Sequence, residues 1–144
     1  MSLIARILKK FEEEATPYRG RFGKSEILPN LNATDVGICD LAELQRKTDQ
    51  EYVLLVRQIS GGERRVLIRG QKHRVEIPSY FLDSETIWYA HSHPRDDQEA
   101  SDADRHALED FSECNGQKQS VIVTESGNCS GFQAVRDMSS WVPP

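Results

Sequence analysis

Two of the four histidines stand in a pattern typical of metal ligands. His91 and His93 are separated by one residue, and Pro94 follows at once. On a β-strand, residues i and i+2 point to the same face, so both imidazoles would face one ion before the proline ends the strand. Asp104, in the first turn of the helix predicted next, can fold back over the strand end. Two imidazoles, one carboxylate and an open fourth position are a ligand set of catalytic zinc, whereas structural zinc usually has all four positions closed.

Each half of this pattern also has a purely structural interpretation. A lone His-x-His pair is most often a polar strand end, and Ser101 with Asp104 forms the Ser-x-x-Asp start of a capped helix. The joint spacing of all four residues in one stretch favours the metal site over these separate interpretations. His73 and His106 have no partner at ligand spacing, so we expect both at the surface.

Composition bounds the molecule that must hold this site. The chain has 144 residues, 38% of them hydrophobic and 28% charged, which predicts one globular domain over residues 1–144. A total of 18 Lys and Arg against 23 Asp and Glu gives a net charge of -5, and no long basic run is present, so we expect no nucleic-acid partner. No apolar stretch approaches the roughly 18 residues of a membrane span, which predicts no membrane association and a cytoplasmic location.

The number and spacing of the cysteines predict the cellular compartment of the protein. Cys39, Cys114 and Cys129 form an odd set without a C-x-x-C pair. This pattern favours reduced thiols over a disulfide framework, in agreement with a cytoplasmic protein. We expect the three side chains to be small residues of the hydrophobic core.

Hydrophobic periodicity predicts three helices. They cover residues 1–17, 34–47 and 102–113. The first is amphipathic and is ended by Pro17, the second can be capped by Thr34, and the third has Gly116 just beyond its end. Residues 18–32 show neither the helical nor the strand period and are predicted to be a loop or a short strand.

Alternating apolar residues predict six strands after the second helix. They cover residues 51–59, 64–68, 72–77, 86–91, 120–124 and 132–136. A Ser-Gly-Gly turn at residues 60–62 joins the first two into a β-hairpin. Helices and strands do not alternate regularly, so the order favours an α+β domain with a mixed central sheet flanked by helices over a doubly wound fold.

With this order of elements, the motif resembles the signature of the JAMM (JAB/MPN) zinc metallopeptidases. His91-x-His93 followed by proline, then seven residues, Ser101, two residues and Asp104 match that signature, and the likeness covers about residues 34–136. The resemblance implies a cytidine-deaminase-like MPN fold and one zinc ion per chain, held by the two histidines and the aspartate. It also implies that Ser101 stabilises the transition state and that a glutamate on an early strand activates the zinc-bound water.

Two glutamates compete for that catalytic position. Glu51 opens the first strand after the second helix, as the glutamate of the family does, although residues 53–56 are bulky where members have a small residue. Glu26 is the alternative if the sheet begins earlier. A lone glutamate at a strand edge is by default only a solvated charge, and the placement favours Glu51 over Glu26.

The resemblance also implies an activity. Members of the family hydrolyse isopeptide or peptide bonds, commonly at the C-terminus of a ubiquitin-like protein, as deubiquitinases do, and a sulfur-carrier-like protein is a further possible substrate. Two alternatives stay open: a JAMM-like toxin or defence-system peptidase, and a non-catalytic MPN-type scaffold that only binds partners. The short connections at residues 77–86 and 116–119 predict that selectivity between linkages is weak or is supplied by a partner chain.

Acidic residues crowd the loop between Pro94 and Asp104. They are Asp96, Asp97, Glu99 and Asp102. The simplest interpretation is a solvated loop. The functional alternative is an acidic lip that attracts the basic tail of a substrate, and it predicts weaker substrate capture at high salt.

Overall fold

A seven-stranded mixed β-sheet is the centre of the molecule. The computed structural model describes residues 1–134, which form an α+β domain with three helices around this sheet. The helices are α1 (Leu3–Glu14), α2 (Ile38–Thr48) and α3 (Asp102–Asn115), with a short 3-10 turn at Ser79–Phe81. The strands are β1 (Thr16–Gly20), β2 (Gly23–Leu31), β3 (Tyr52–Ile59), β4 (Gly62–Arg69), β5 (Thr86–His93), β6 (Gln119–Thr124) and β7 (Cys129–Gln133).

The strand order places β5 near the middle of the sheet. The order is β1-β2-β4-β3-β5-β6-β7, and every neighbouring pair is antiparallel except β5 and β6. Parallel neighbours require a crossover connection, and α3 supplies it. The C-terminal end of β5 and the N-terminal end of α3 therefore lie at the same end of the sheet, where the strand β5 stops. The predicted metal ligands lie on these two ends.

Helices cover the sheet on both faces. α1 and α2 pack on one face and α3 on the other, which gives two hydrophobic clusters. On β3, Leu54 belongs to the first cluster, whereas Val53 and Leu55 belong to the second, because successive strand residues point to opposite faces. A strand buried on both faces has a continuous apolar sequence, which explains the bulky run over residues 53–56.

The N-terminal part of the sheet is larger than the sequence predicted. β1 and β2 form an antiparallel hairpin, so the prediction of a loop or a short strand for residues 18–32 is wrong. Ile27 and Leu28 of β2 are buried in the two opposite clusters, and the carboxylate of Glu76 accepts the backbone N–H groups of Arg21 and Phe22 at the turn. These contacts come from distant parts of the chain, so local periodicity did not reveal them.

The second helix begins later than predicted. Thr34 does not cap it; the N-cap is Gly37, whose backbone N–H donates to Asp40 Oδ2 at 2.7 Å. The preceding residues instead form a turn in which Asp35 Oδ2 accepts the N–H of Asn32 at 2.8 Å. A side chain that closes a turn on its own backbone delays the start of a helix.

Residues 72–77 do not form the predicted strand. After β4 the chain folds back, and the N–H of Gln71 donates to the carbonyl of Arg74 at 2.7 Å. A Cβ at Gly70 would lie 2.6 Å from Val75 Cα, so only glycine allows this close approach. The fold-back takes residues 72–77 out of the sheet and brings them close to the C-terminal end of β5.

The remaining predictions have mixed outcomes. α1, α3 and the strands over residues 51–59, 64–68, 86–91 and 120–124 are confirmed, with small differences in their ends. The cysteines are free but exposed, so their expected place in the core is wrong. Cys39 and Cys114 lie on helices α2 and α3, which turn leucines and a phenylalanine inward instead, and Cys129 is the first residue of β7. β7 covers Cys129–Gln133, and positions 135 and 136 of the predicted last strand lie outside the described residues. Within residues 1–134, no helix is long and apolar enough to cross a bilayer.

Candidate metal centre

Three predicted ligands converge at the end of β5. His91 Nε2 lies 3.0 Å from His93 Nε2 and 3.2 Å from Asp104 Oδ1. His93 Nε2 lies 3.1 Å from the other carboxylate oxygen, Asp104 Oδ2, so the carboxylate spans the two imidazole nitrogens. His91 and His93 are buried, and Asp104 is half-buried. This group could bind a metal ion.

The spacing of these nitrogen and oxygen atoms is compatible with a small, four-coordinate cation. Zinc binds imidazole nitrogen and carboxylate oxygen at about 2.0–2.1 Å, so neighbouring donors of a tetrahedral site are about 3.3 Å apart. The two nitrogens are 3.0 Å apart, and each lies 3.1 or 3.2 Å from its own oxygen of Asp104; these separations are close to that value. Nitrogen and oxygen donors of this kind are also those that zinc accepts.

A β-bulge decides which face of the sheet the histidines occupy. Leu54 lies opposite Ala90, but Leu55 lies opposite Trp88, so Tyr89 is an extra residue in β5. The extra residue reverses the alternation, and His91 therefore shares the face of Trp88, with 4.8 Å between the ring centroids. Both histidines thus face α3, the helix that carries the aspartate.

A second contact and burial bear on how the two histidines could act as ligands. His93 Nδ1 lies 3.0 Å from the carbonyl oxygen of Asp97, to which an Nδ1–H can donate. The neutral ring would then present its Nε2 lone pair to a metal ion in place of the hydrogen bond to Asp104. Burial lowers the pKa of His91 below its usual 6.5 and keeps that ring neutral. For His93, burial also disfavours the charge, but the hydrogen bond and the negative charge of Asp104 outweigh it and raise the pKa above 6.5.

Asp104 is ionised despite its partial burial. Burial alone would raise its pKa, but hydrogen bonds from His91 and His93 oppose it, and the result is a pKa well below the usual range for an aspartate. The carboxylate also accepts the backbone N–H of Ser101 at 3.0 Å. A permanently charged carboxylate is the form that binds a cation.

Ser101 has the structural role that the simpler interpretation predicted. It is the N-cap of α3, and its Oγ accepts the backbone N–H of Asp104 at 3.0 Å, so the two residues form a reciprocal capping box. The capping bond uses a lone pair of the hydroxyl. Among residues 1–134, no acceptor is found for the Ser101 O–H, which remains available as a donor in the same cleft.

Of the two candidate glutamates, Glu51 is the one that lies at this site. It directly precedes β3, and Val53, two residues later, pairs with His91, so the glutamate faces the same side as the histidines. Its backbone N–H donates to Gln71 and its carbonyl accepts from Gly70, at 2.9 and 2.8 Å. Glu51 is only 8% exposed, and burial raises its pKa to about 7 against the opposing attraction of His93.

Glu26 lies elsewhere in the sheet. It stands on β2 opposite Arg69, and its carboxylate forms an ion pair with that guanidinium at 2.8 Å. Two strands, β4 and β3, separate β2 from β5 in the sheet order. The structure therefore brings Glu51, and not Glu26, next to the three possible ligands.

An open cleft of about 310 Å³ gives access to the group. Its walls include Glu51, His93, Ser101 and Asp104, and His73, Arg74 and Val75 line it as well. His73 is exposed, as expected, but periodicity had placed all three residues in a strand, so none of them was predicted at the site; Gly70 was the local sign of a fold-back. His106, in contrast, has a side chain that is 81% exposed and lies outside the cleft, as expected.

Only part of the acidic loop faces the cleft. Asp97 and Glu99 line it, and the Asp97 carboxylate also accepts the N–H of Glu99 at 3.1 Å. Asp96 turns away and accepts a hydrogen bond from Ser126, at the turn between β6 and β7. The predicted acidic lip is therefore reduced to two residues, and part of the loop has a structural role.

Comparisons with known proteins leave the site to be interpreted from its own geometry. No protein-family model matches the chain, and searches of curated proteins and of solved structures return no match. The fold and the site define a mixed α+β domain in which a His-His-Asp group lies at a cleft beside a buried glutamate.

Proposed function

We propose that this protein is a zinc-dependent peptidase of the JAMM type. The observation that carries the proposal is the convergence of His91, His93 and Asp104 on one point beside Glu51. β3 pairs with β5, and α3 connects the parallel strands β5 and β6. This arrangement supports a cytidine-deaminase-like MPN fold. A scaffold that only binds partners would have no need of a complete ligand set next to a buried carboxylate.

The donor set fits zinc better than a harder cation. His91 and His93 would bind through Nε2 and Asp104 through a carboxylate oxygen, whereas magnesium and calcium prefer oxygen donors alone. Zinc at this place would supply Lewis acidity for polarising oxygen atoms. Three protein donors leave room for a substrate or water molecule, as at other hydrolytic zinc sites.

Glu51 is suited to move a proton in both directions. A pKa of about 7 lets its carboxylate accept a proton from an attacking water molecule and return that proton to the leaving amine nitrogen near neutral pH. Burial produces this pKa, so the protein environment and not the residue type makes the group basic enough. Ser101 Oγ–H would donate to the oxygen of the scissile carbonyl as negative charge develops there.

The cleft favours a narrow, extended substrate. A volume of about 310 Å³ accommodates a short chain segment but not a folded surface. Asp97 and Glu99 would attract positive charge on that segment. The C-terminal tail of a ubiquitin-like or sulfur-carrier-like protein, cleaved at a peptide or isopeptide bond, has the required shape. A peptidase of a toxin or defence system would use the same chemistry on another tail.

The decisive experiment measures zinc content and cleavage together. Protein loaded with one equivalent of zinc should cleave at least one member of a panel of ubiquitin-like and sulfur-carrier fusions, and a chelator should abolish the cleavage. Glu51→Gln should keep its zinc but lose about 10²–10⁴-fold in turnover. Glu26→Gln is the matched control and should cleave normally. A protein that folds without binding zinc, or an active Glu51→Gln variant, would contradict the proposal.

A further inference from the structure

Ser92, the residue between the two histidines, makes a buried chain of hydrogen bonds. Its Oγ accepts the backbone N–H of Tyr52 at 2.9 Å and donates to Gln45 Oε1 at 2.7 Å. Ser92 and Gln45 have no exposed surface. Because successive strand residues alternate, this serine points away from the histidines, toward α2. The chain of bonds therefore joins α2, β5 and the first residue of β3.

The serine replaces a backbone contact at a critical position. The ladder between β3 and β5 begins with Val53 opposite His91. One residue earlier, the amide of Tyr52 donates to the Ser92 hydroxyl and not to a carbonyl of β5. A side chain between two strands sets their separation by its own length. The residue that precedes Tyr52 is Glu51, so this separation also sets how far Glu51 stands from His93.

The buried pair of Ser92 and Gln45 lowers the stability of the folded protein. Gln45 Nε2 is buried and has no hydrogen-bond partner among the described residues. An unpaired buried amide is unfavourable, and two apolar residues of similar size would fill the same space without that cost. Costs of this kind are expected where a function depends on them.

We propose that Ser92 and Gln45 are positioning residues that hold Glu51 at its working distance from the metal ligands. The inference rests on the proposed function of the site. On its other side, Glu51 is already held by the backbone of Gly70 and Gln71. The serine hydroxyl supplies the restraint from β5, so the glutamate is fixed between two neighbouring strands.

The kinetic test compares two buried serines. Ser92→Ala should keep its zinc and its KM while kcat falls about 10- to 100-fold, because a displacement of about 1 Å is enough for such a loss. Ser92→Thr retains the hydroxyl and should restore much of the rate. Ser120→Ala is the control: this buried Oγ donates to the carbonyl of Trp88 at 2.7 Å, away from the cleft, and its loss should leave kcat unchanged.

A double mutant separates positioning from general damage. In a Glu51→Gln background, Ser92→Ala should cause no further loss of kcat if the serine acts through the glutamate. An equal loss in both backgrounds would overturn the inference. Should Ser92→Ala fail to fold, Gln45→Leu removes the acceptor of the serine while keeping the bond from Tyr52, and a smaller fall in kcat is expected.

A measurement that does not depend on catalysis tests the positioning role of Ser92 separately from the proposed peptidase activity. In the cobalt-substituted protein labelled with ¹³C-glutamate, paramagnetic relaxation of the Glu51 carboxyl carbon reports its distance from the metal. Ser92→Ala should change this relaxation, whereas Ser92→Thr and Ser120→Ala should not. The result holds even if no peptide substrate is cleaved, which would contradict only the proposed activity. Unchanged relaxation in Ser92→Ala overturns the positioning role, and a protein that binds no divalent metal overturns both proposals.

Discussion

The carboxylate of Asp104 accepts the backbone N–H of Ser101 at 3.0 Å, while Ser101 Oγ accepts the N–H of Asp104 at the same distance. The same carboxylate faces both His91 and His93 at 3.2 and 3.1 Å. The start of α3 and the candidate metal centre are therefore one structure. A helix cap fixes its side chains within the first turn, so it also orients a ligand that belongs to it.

Substitutions at Asp104 should separate its two roles. Asp104→Asn keeps a side-chain oxygen that can accept the hydrogen bond of the cap, but it loses the negative charge of the metal ligand. Zinc affinity should therefore fall at least about tenfold. Asp104→Ala should lose zinc as well and, in the presence of chelator, should be about 1 kcal/mol less stable than Asp104→Asn. Isothermal titration with zinc and chemical denaturation measure the two effects. Asp102→Asn, in the same helical turn, is the control; equal stability of the two Asp104 variants would refute the capping role.

The buried carboxylate of Glu51 should make stability depend on pH. Its pKa in the folded, metal-free protein is about 7, above the usual 4.5, so the folded state holds this proton more tightly than the unfolded state. Stability is thus full below about pH 4.5 and falls as pH rises through 7. In chelator at pH 8, Glu51→Gln should be more stable than the wild type by up to about 3 kcal/mol, with the gain absent at pH 4.

Glu26→Gln is the matched control for that measurement. Its carboxylate forms a partly exposed ion pair with Arg69, and loss of the pair should cost at most about 1 kcal/mol at pH 8. The two variants should therefore change stability in opposite directions. Urea denaturation at pH 4, 6 and 8 would show this, and a Glu51→Gln variant without any pH-dependent gain would contradict the assigned burial effect.

Metal should stabilise the folded protein through the histidines. A ligand that binds only the native state, present at about 1,000 times its Kd, adds about 4 kcal/mol. Addition of zinc should therefore raise the melting temperature of the wild type, and chelator should reverse the rise. His91→Ala should abolish the response, whereas His106→Ala, whose side chain is 81% exposed in the wild type, should retain it. A zinc response that survives in His91→Ala would place the metal elsewhere.

A methyl group at Gly70 should disturb the cleft. Its Cβ would lie 2.6 Å from Val75 Cα, so the fold-back that carries His73 and Arg74 must move. We expect Gly70→Ala to lose about 1–3 kcal/mol of stability and to raise KM for a cleaved substrate. Gly131→Ala is the control, since the nearest atom to its Cβ would be 3.8 Å away. Thermal melting and substrate titration test both, and equal behaviour of the two variants would contradict the requirement for glycine.

Short-range rules were enough to predict part of the site from the amino-acid sequence. The i, i+2 spacing of His91 and His93 follows from the strand period, and the Ser101–Asp104 box follows from helix capping. Both are short-range rules, so they hold before the rest of the chain is known. For the same reason α1, α3 and the β3–β4 hairpin could be predicted, although the start of α2 could not, because Asp35 closes a turn that only the structure shows.

The way in which these parts come together depends on contacts between distant segments of the chain. The bulge at Tyr89 turns the histidines toward α3. The sheet order places Glu51 beside them, while two strands separate Glu26 from them. The fold-back at Gly70 makes residues 73–75 a wall of the cleft, although periodicity had assigned them to a strand. The raised pKa of Glu51 likewise comes from burial by distant residues. Register, strand order and desolvation all depend on contacts between remote segments, which no local pattern encodes.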